Sequence, residues 1–166
     1  SNSSHLDTAL LVVRQAVQRA IAHLAEEPRQ YRVQASKWGP AEVLGHLVYW
    51  HRVNLEGIES VASGGEPYRV DPGTTIDDLN ASALGEMAGS TIAELLPDLT
   101  GLQSRIEESS TALQDPTVIV RIQRDGSERS LGQLLNVLAV HIGEHLAELQ
   151  AARTDSTVDG TDASTP

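Results

Sequence analysis

The chain has 166 residues, no cysteine and a formal charge of −11 at pH 7. That length suits one domain with a core of ordinary size, and without thiols there is no disulfide or thiolate site, so any metal must be held through nitrogen and oxygen. Phosphate-tracking surfaces cluster Lys and Arg, whereas the 12 such residues here are scattered along an acidic chain, which argues against nucleic acid as a partner.

The opening SNSSHLDTALLVVRQ carries no basic run ahead of its apolar residues, and Arg14 and Gln15 interrupt these far short of a membrane span. The expectation is a cytoplasmic protein that does not engage a membrane. From Leu6 through Leu10, Val13, Val17, Ile21 and Leu24 apolar residues recur every three or four positions, which predicts a first helix ending near Pro28. Gly39 and Pro40 announce a second helix, with Pro suited to the first helical position and Glu42 favoured there by the helix dipole; SGGEP stops it after about Ala62.

PYRVDPGTT reads as a loop, and Thr75 can cap a third helix with Asp77 and Asp78 in its first turn, running to about Leu113. Gly89 and Pro97 interrupt that pattern, so a kink or a break is expected inside it. Between Thr117 and Arg129, Val118, Ile119, Val120 and Ile122 favour strand and Asp125-Gly126 is a turn signal, which predicts a small hairpin or extended loop. Ser130 and Gln133 form a capping box for a last helix reaching about Ala152. The fold expected is all-α, an antiparallel four-helix bundle over residues 1–153, with residues 154–166 as a disordered tail.

The last helix holds the sharpest chemical signal. Its apolar stripe of Leu131, Leu134, Leu135, Leu138, Ile142, Leu146 and Leu149 takes in His141 and His145. Residues four apart lie about 40° apart around a helix, so both imidazoles project to one side. A single histidine on such a stripe is ordinarily a hydrogen-bonded core residue. Two side by side in a low-dielectric interior double the polar atoms to be satisfied, and one shared divalent ion satisfies both.

A third ligand is expected from the second helix. His46 shares a face with Val43, Trp50 and Val53, while its rival His51, about 140° further round, sits with Leu44, Val48 and Leu55. His5 and His23 read as surface residues. Glu42, one turn before His46, and Glu148, seven residues after His141, are either partners of the metal ligands or solvated surface carboxylates. Three imidazoles leave coordination positions open, the arrangement of catalytic sites, and zinc, nickel, iron or manganese all suit such ligands. HIGEH at 141–145 also matches an inverted zinc-protease motif with Glu144 as base, but that architecture needs a further acidic ligand downstream.

GHLVYWH at 45–51, HIGEHLAEL at 141–149 and the W-x-x-x-E-V-L-G-H-L-V-Y-W-H run from Trp38 resemble the DinB-like superfamily of four-helix bundles (the DinB/YfiT-like fold). The likeness spans most of the chain, and is nearest to the ClbS and DfsB-like branch and the neighbouring thiol-dependent maleylpyruvate isomerases. The resemblance implies a divalent metal on His46, His141 and His145. It also implies one of two activities, transfer or isomerisation with a low-molecular-weight thiol, or hydrolysis of a reactive small molecule in detoxification.

Two classes of function follow. The first is a metal-dependent hydrolase or thiol-dependent transferase acting on a small electrophile, with Tyr49, Trp50 and His51 as candidate pocket walls. The second is a metal-free protein that sequesters a small molecule, or a structural bundle whose histidines only make hydrogen bonds. The second helix is apolar over more of its circumference than one core stripe needs, which predicts a homodimer.

Overall fold

The computed structural model describes residues 1–26, 32–33 and 38–163, with side chains up to Thr154 in the last helix. Among the described residues the protein is mostly helical, with five helices and a small three-stranded sheet. Helix α1 (Asn2–Ala25) begins under a Ser1 cap and buries Leu6, Leu10, Val13, Val17 and Leu24; Pro28, the expected stop, lies outside the described residues. Helix α2 (Pro40–Ala62) starts on Gly39 with Pro40 in its first turn and buries side chains around most of its circumference.

The third predicted helix is two helices. α3 (Ile76–Glu86) opens on a Thr75 capping box with Asp78, and α4 (Ile92–Leu113) opens on a Thr91 cap. The break falls in the turn that ends at Gly89, whose φ of 80° would strain a residue with a side chain. Pro97 stays inside α4, where it forfeits one backbone hydrogen bond without ending the helix.

The hairpin predicted from Asp125-Gly126 is part of a larger element. β2 (Ile119–Ile122) pairs antiparallel with β3 (Glu128–Ser130) and parallel with β1 (Tyr68–Arg69), which lies in the segment expected to be loop. Two residues of strand are too short to leave an alternating pattern, so β1 is legible only once its partner is placed.

Helix α5 (Leu131–Ala163) opens on the expected Ser130–Gln133 capping box, with Ser130 N–H donating to Gln133 Oε1 at 2.9 Å. Its backbone continues beyond Ala152, where the apolar periodicity stops; extending a helix costs far less than starting one.

α2 packs on α4, α3 and α5, while α1 packs on α5 and α4. The shared core includes Leu44, Leu47, Leu99, Ile106, Leu134, Leu135 and Ile142. The broad apolar surface of α2 is consumed by these neighbours, and the large apolar side chains left exposed are instead Leu11, Val12, Ile76, Val137 and Val140. At Gly57, α2 meets β2 so closely that an added Cβ would overlap the Val120 carbonyl oxygen, which seats the sheet against the helix that carries His46. Among the described residues no helix is long and apolar enough to cross a membrane.

Candidate metal centre

His46 reaches the centre from α2, and His141 and His145 reach it from successive turns of α5. His46 Nε2 lies 3.1 Å from His141 Nε2, and His145 Nε2 lies 3.0 Å from the same atom. One ligand nitrogen from each ring falls within a 4.8 Å span, so the three could hold a metal ion. His46 is buried and the two α5 histidines are half-buried. They border the core and face a cavity, where the apolar stripe had suggested full burial.

The protons in this cluster do not balance. Burial first, then the charges His145 and His141 would carry, push His46 down to about 3. Burial, His145 and His51 push His141 down to about 4. Both rings are therefore neutral at pH 7, each with one N–H and one lone pair. His141 Nε2 faces two nitrogens and offers either one proton or one lone pair, so it can satisfy one neighbour and not both. The buried Nδ1 of His46 has no hydrogen-bond partner either. A cation that accepts all three Nε2 lone pairs removes the conflict at His141 Nε2, though not the lack of a partner at His46 Nδ1, and the donor set therefore fits a divalent ion of the zinc, nickel, iron or manganese type.

Around the rings, Trp38 stacks on His145 at 21° between planes and tilts against His46 with centroids 5.0 Å apart. Glu148 Oε2 stands 3.3 Å from His145 Nδ1, yet the contact is not a hydrogen bond, and that buried nitrogen has no hydrogen-bond partner. Glu42 does not join the site; its carboxylate accepts from Arg32 Nη1 at 2.7 Å on the surface. His51 is also separate, with Nε2 2.7 Å from Gln103 Oε1 in the α2–α4 interface and its pKa lowered by burial.

Two cavities meet here. The smaller, about 350 Å³, is lined by Trp38, His46, Trp50, His141, His145 and Glu148 among others. The larger, about 940 Å³, shares Trp50, Ile76 and His141 with it and extends along β2 and β3. Together they offer the space of a small-molecule site. Trp50 lines both; Tyr49 and His51 line neither. Tyr49 packs edge-on to Trp50 under the Arg52 guanidinium, and its pKa is raised by burial and by Glu86. Glu144 is exposed along the larger cavity.

One wall of that cavity is absent from the sequence-based site. Arg121 is buried on β2, donating through Nε to Gln123 Oε1 at 2.9 Å and through Nη1 to Asn54 Oδ1 at 2.5 Å. An arginine inside the apolar run 118–122 was the available signal, since arginine is rarely buried without a partner.

These features define a helical protein with a histidine cluster suited to a metal, set at the junction of two cavities. The profile of the DinB superfamily matches residues 9–149, and the chain belongs to that superfamily, which includes metal-binding enzymes. No curated protein and no solved structure matches the chain.

Proposed function

We propose that the protein is a metal-dependent enzyme acting on a small electrophile, with His46, His141 and His145 as the metal ligands. The observation that carries this reading is the convergence of three Nε2 atoms, two of them on rings held neutral, beside cavities large enough for a substrate. A bound divalent ion would supply a Lewis acid that lowers the pKa of water or a thiol at its open positions. The chain's own groups do the rest. The three imidazoles present lone pairs, Glu148 stands beside His145, Trp38 covers two of the rings, and Trp50 forms a wall common to both cavities.

Hydrolysis and thiol-dependent transfer or isomerisation are the two reaction types this site supports, in keeping with the ClbS/DfsB-like and maleylpyruvate isomerase-like branches. The reading places the four long helices, α1, α2, α4 and α5, in an antiparallel bundle and the protein in the cytoplasm. It includes a homodimer paired through helix faces, for which Leu11, Val12, Val137 and Val140 are the exposed apolar candidates; a monomeric mass by light scattering at micromolar concentration would remove the dimer.

The test is elemental mass spectrometry on protein purified without an affinity tag. Wild type should carry near-stoichiometric metal, and the His141→Ala, His145→Ala double variant should carry almost none. Wild type that is metal-free and binds neither added zinc nor nickel would end this reading. The competing one, a metal-free protein that sequesters a small molecule, is favoured by the size of the larger cavity, which reaches well beyond the histidines.

A further inference from the structure

We propose that the larger cavity is a carboxylate-binding pocket in which Arg121 and Arg129 anchor the acid group of a small molecule whose other end reaches the histidine cluster. Only the second half of that statement rests on the reading of the histidine site.

Arg121 is 9% exposed, and no carboxylate among the described residues pairs with it. Its fixed partners are the neutral Asn54 and Gln123, and its guanidinium lies over the rings of Trp50 at 5.8 Å and Tyr68 at 5.9 Å. A buried cation ordinarily has a counter-charge. These partners hold the Nε and one Nη1 hydrogen and leave the outer edge, the second Nη1 hydrogen and both on Nη2. Two parallel N–H groups of a guanidinium match the two oxygens of a carboxylate.

The neighbouring strand adds to the positive charge. Arg129 of β3 is the direct cross-strand partner of Arg121, and like charges placed directly opposite destabilise a strand pair. Both line the larger cavity, with Arg124 exposed at its edge. Three of the 12 basic residues of an acidic chain thus share one cavity. Two acidic residues also line it. Asp125 is engaged by the Ser127 N–H and hydroxyl, and Glu144 is exposed on α5; neither forms an ion pair with Arg121 or Arg129. Because His141 lines both cavities, a molecule anchored on the arginines extends directly to the proposed metal ligands.

The test is isothermal titration of the full chain with succinate, with its neutral isostere succinamide, and with inorganic phosphate. The variants are Arg121→Gln, Arg129→Gln and, as a control of matched charge, Arg105→Gln, which lies outside both cavities on the surface beside Glu59. Wild type should bind succinate and not succinamide. Arg129→Gln, a half-buried position that should tolerate the change, should weaken binding about tenfold or more, the order of one charge-assisted hydrogen bond. Arg121→Gln should abolish binding if it folds, and Arg105→Gln should leave the affinity within about threefold.

Equal affinity in wild type and Arg129→Gln would overturn the proposal. So would no succinate binding, phosphate bound in place of succinate, or binding weakened as much in Arg105→Gln as in Arg129→Gln. Succinate binding that depends on the arginines in a wild type that carries no metal and binds neither added zinc nor nickel would leave this inference standing and sink the metal reading.

Discussion

His46 and His141 are 95 residues apart in sequence, yet their Nε2 atoms lie 3.1 Å apart. The contact joins the second helix to the last one, and burial on both sides keeps the two rings uncharged. A pair of neutral imidazoles costs stability in acid and offers lone pairs at neutral pH.

The acid response of the metal-free chain follows from the direction of those shifts. In the unfolded chain both rings protonate near pH 6.5, whereas in the folded chain protonation waits until about 4 for His141 and about 3 for His46. The unfolded state therefore binds more protons between these values. Stability should be complete above about pH 6.5 and should fall, by a few kcal/mol in order of magnitude, as the pH drops toward about 4. Urea midpoints of metal-free wild type should decline over that range, and those of a His46→Gln, His141→Gln variant should decline less. Parallel profiles would remove the assignment.

Glu148 should matter to metal affinity more than to folding. Its carboxylate stands 3.3 Å from His145 Nδ1 and is largely exposed, so Glu148→Gln should leave the melting temperature almost unchanged while weakening zinc binding by about 10-fold to 100-fold. Competition titration with a chromophoric chelator measures this, and unaltered affinity would place Glu148 outside the site.

The pair of His51 and Gln103 should show the opposite behaviour. Gln103→Leu leaves a buried imidazole without its 2.7 Å partner and should cost about 1–3 kcal/mol. The double variant His51→Leu, Gln103→Leu should recover part of that loss, because no polar group is then left unpaired. Metal content should be the same in all three proteins; a fall in the double variant would make His51 a ligand.

Gly57 is predicted to reject even alanine. Alanine favours a helix by about 1 kcal/mol over glycine, but here the new methyl would press on the backbone of Val120, which has no side-chain torsion to give way. Overpacking of this kind costs about 1–3 kcal/mol, so Gly57→Ala should be net destabilising in thermal melts and should shift the sheet that carries Arg121. A stabilised variant would show that α2 and β2 can separate freely.

Much of the fold was legible because its cues are local. Thr75 with Asp78, Ser130 with Gln133, and Pro40 after Gly39 mark helix starts through hydrogen bonds and dihedral limits spanning a few residues, and each lies where the structure has it. His141 and His145 announce one another at a spacing of four. The break at Gly89 was ambiguous with Pro97, since both disrupt a helical pattern; what distinguishes them is that Gly89 takes up a positive φ between α3 and α4, while Pro97 sits early in a helix that packs on α2.

The sequence by itself determined the helical class, the starts of α2, α3 and α5 and the two histidines on one face, because each depends on periodicity or on contacts within a turn. Only the tertiary structure decided that His46 meets that pair while His51 turns to Gln103, that Tyr68 and Arg69 form a strand, and that Arg121 and Arg129 stand opposite each other in one cavity. Those relationships join residues from separate elements, and their geometry is set by how the helices and the sheet pack together.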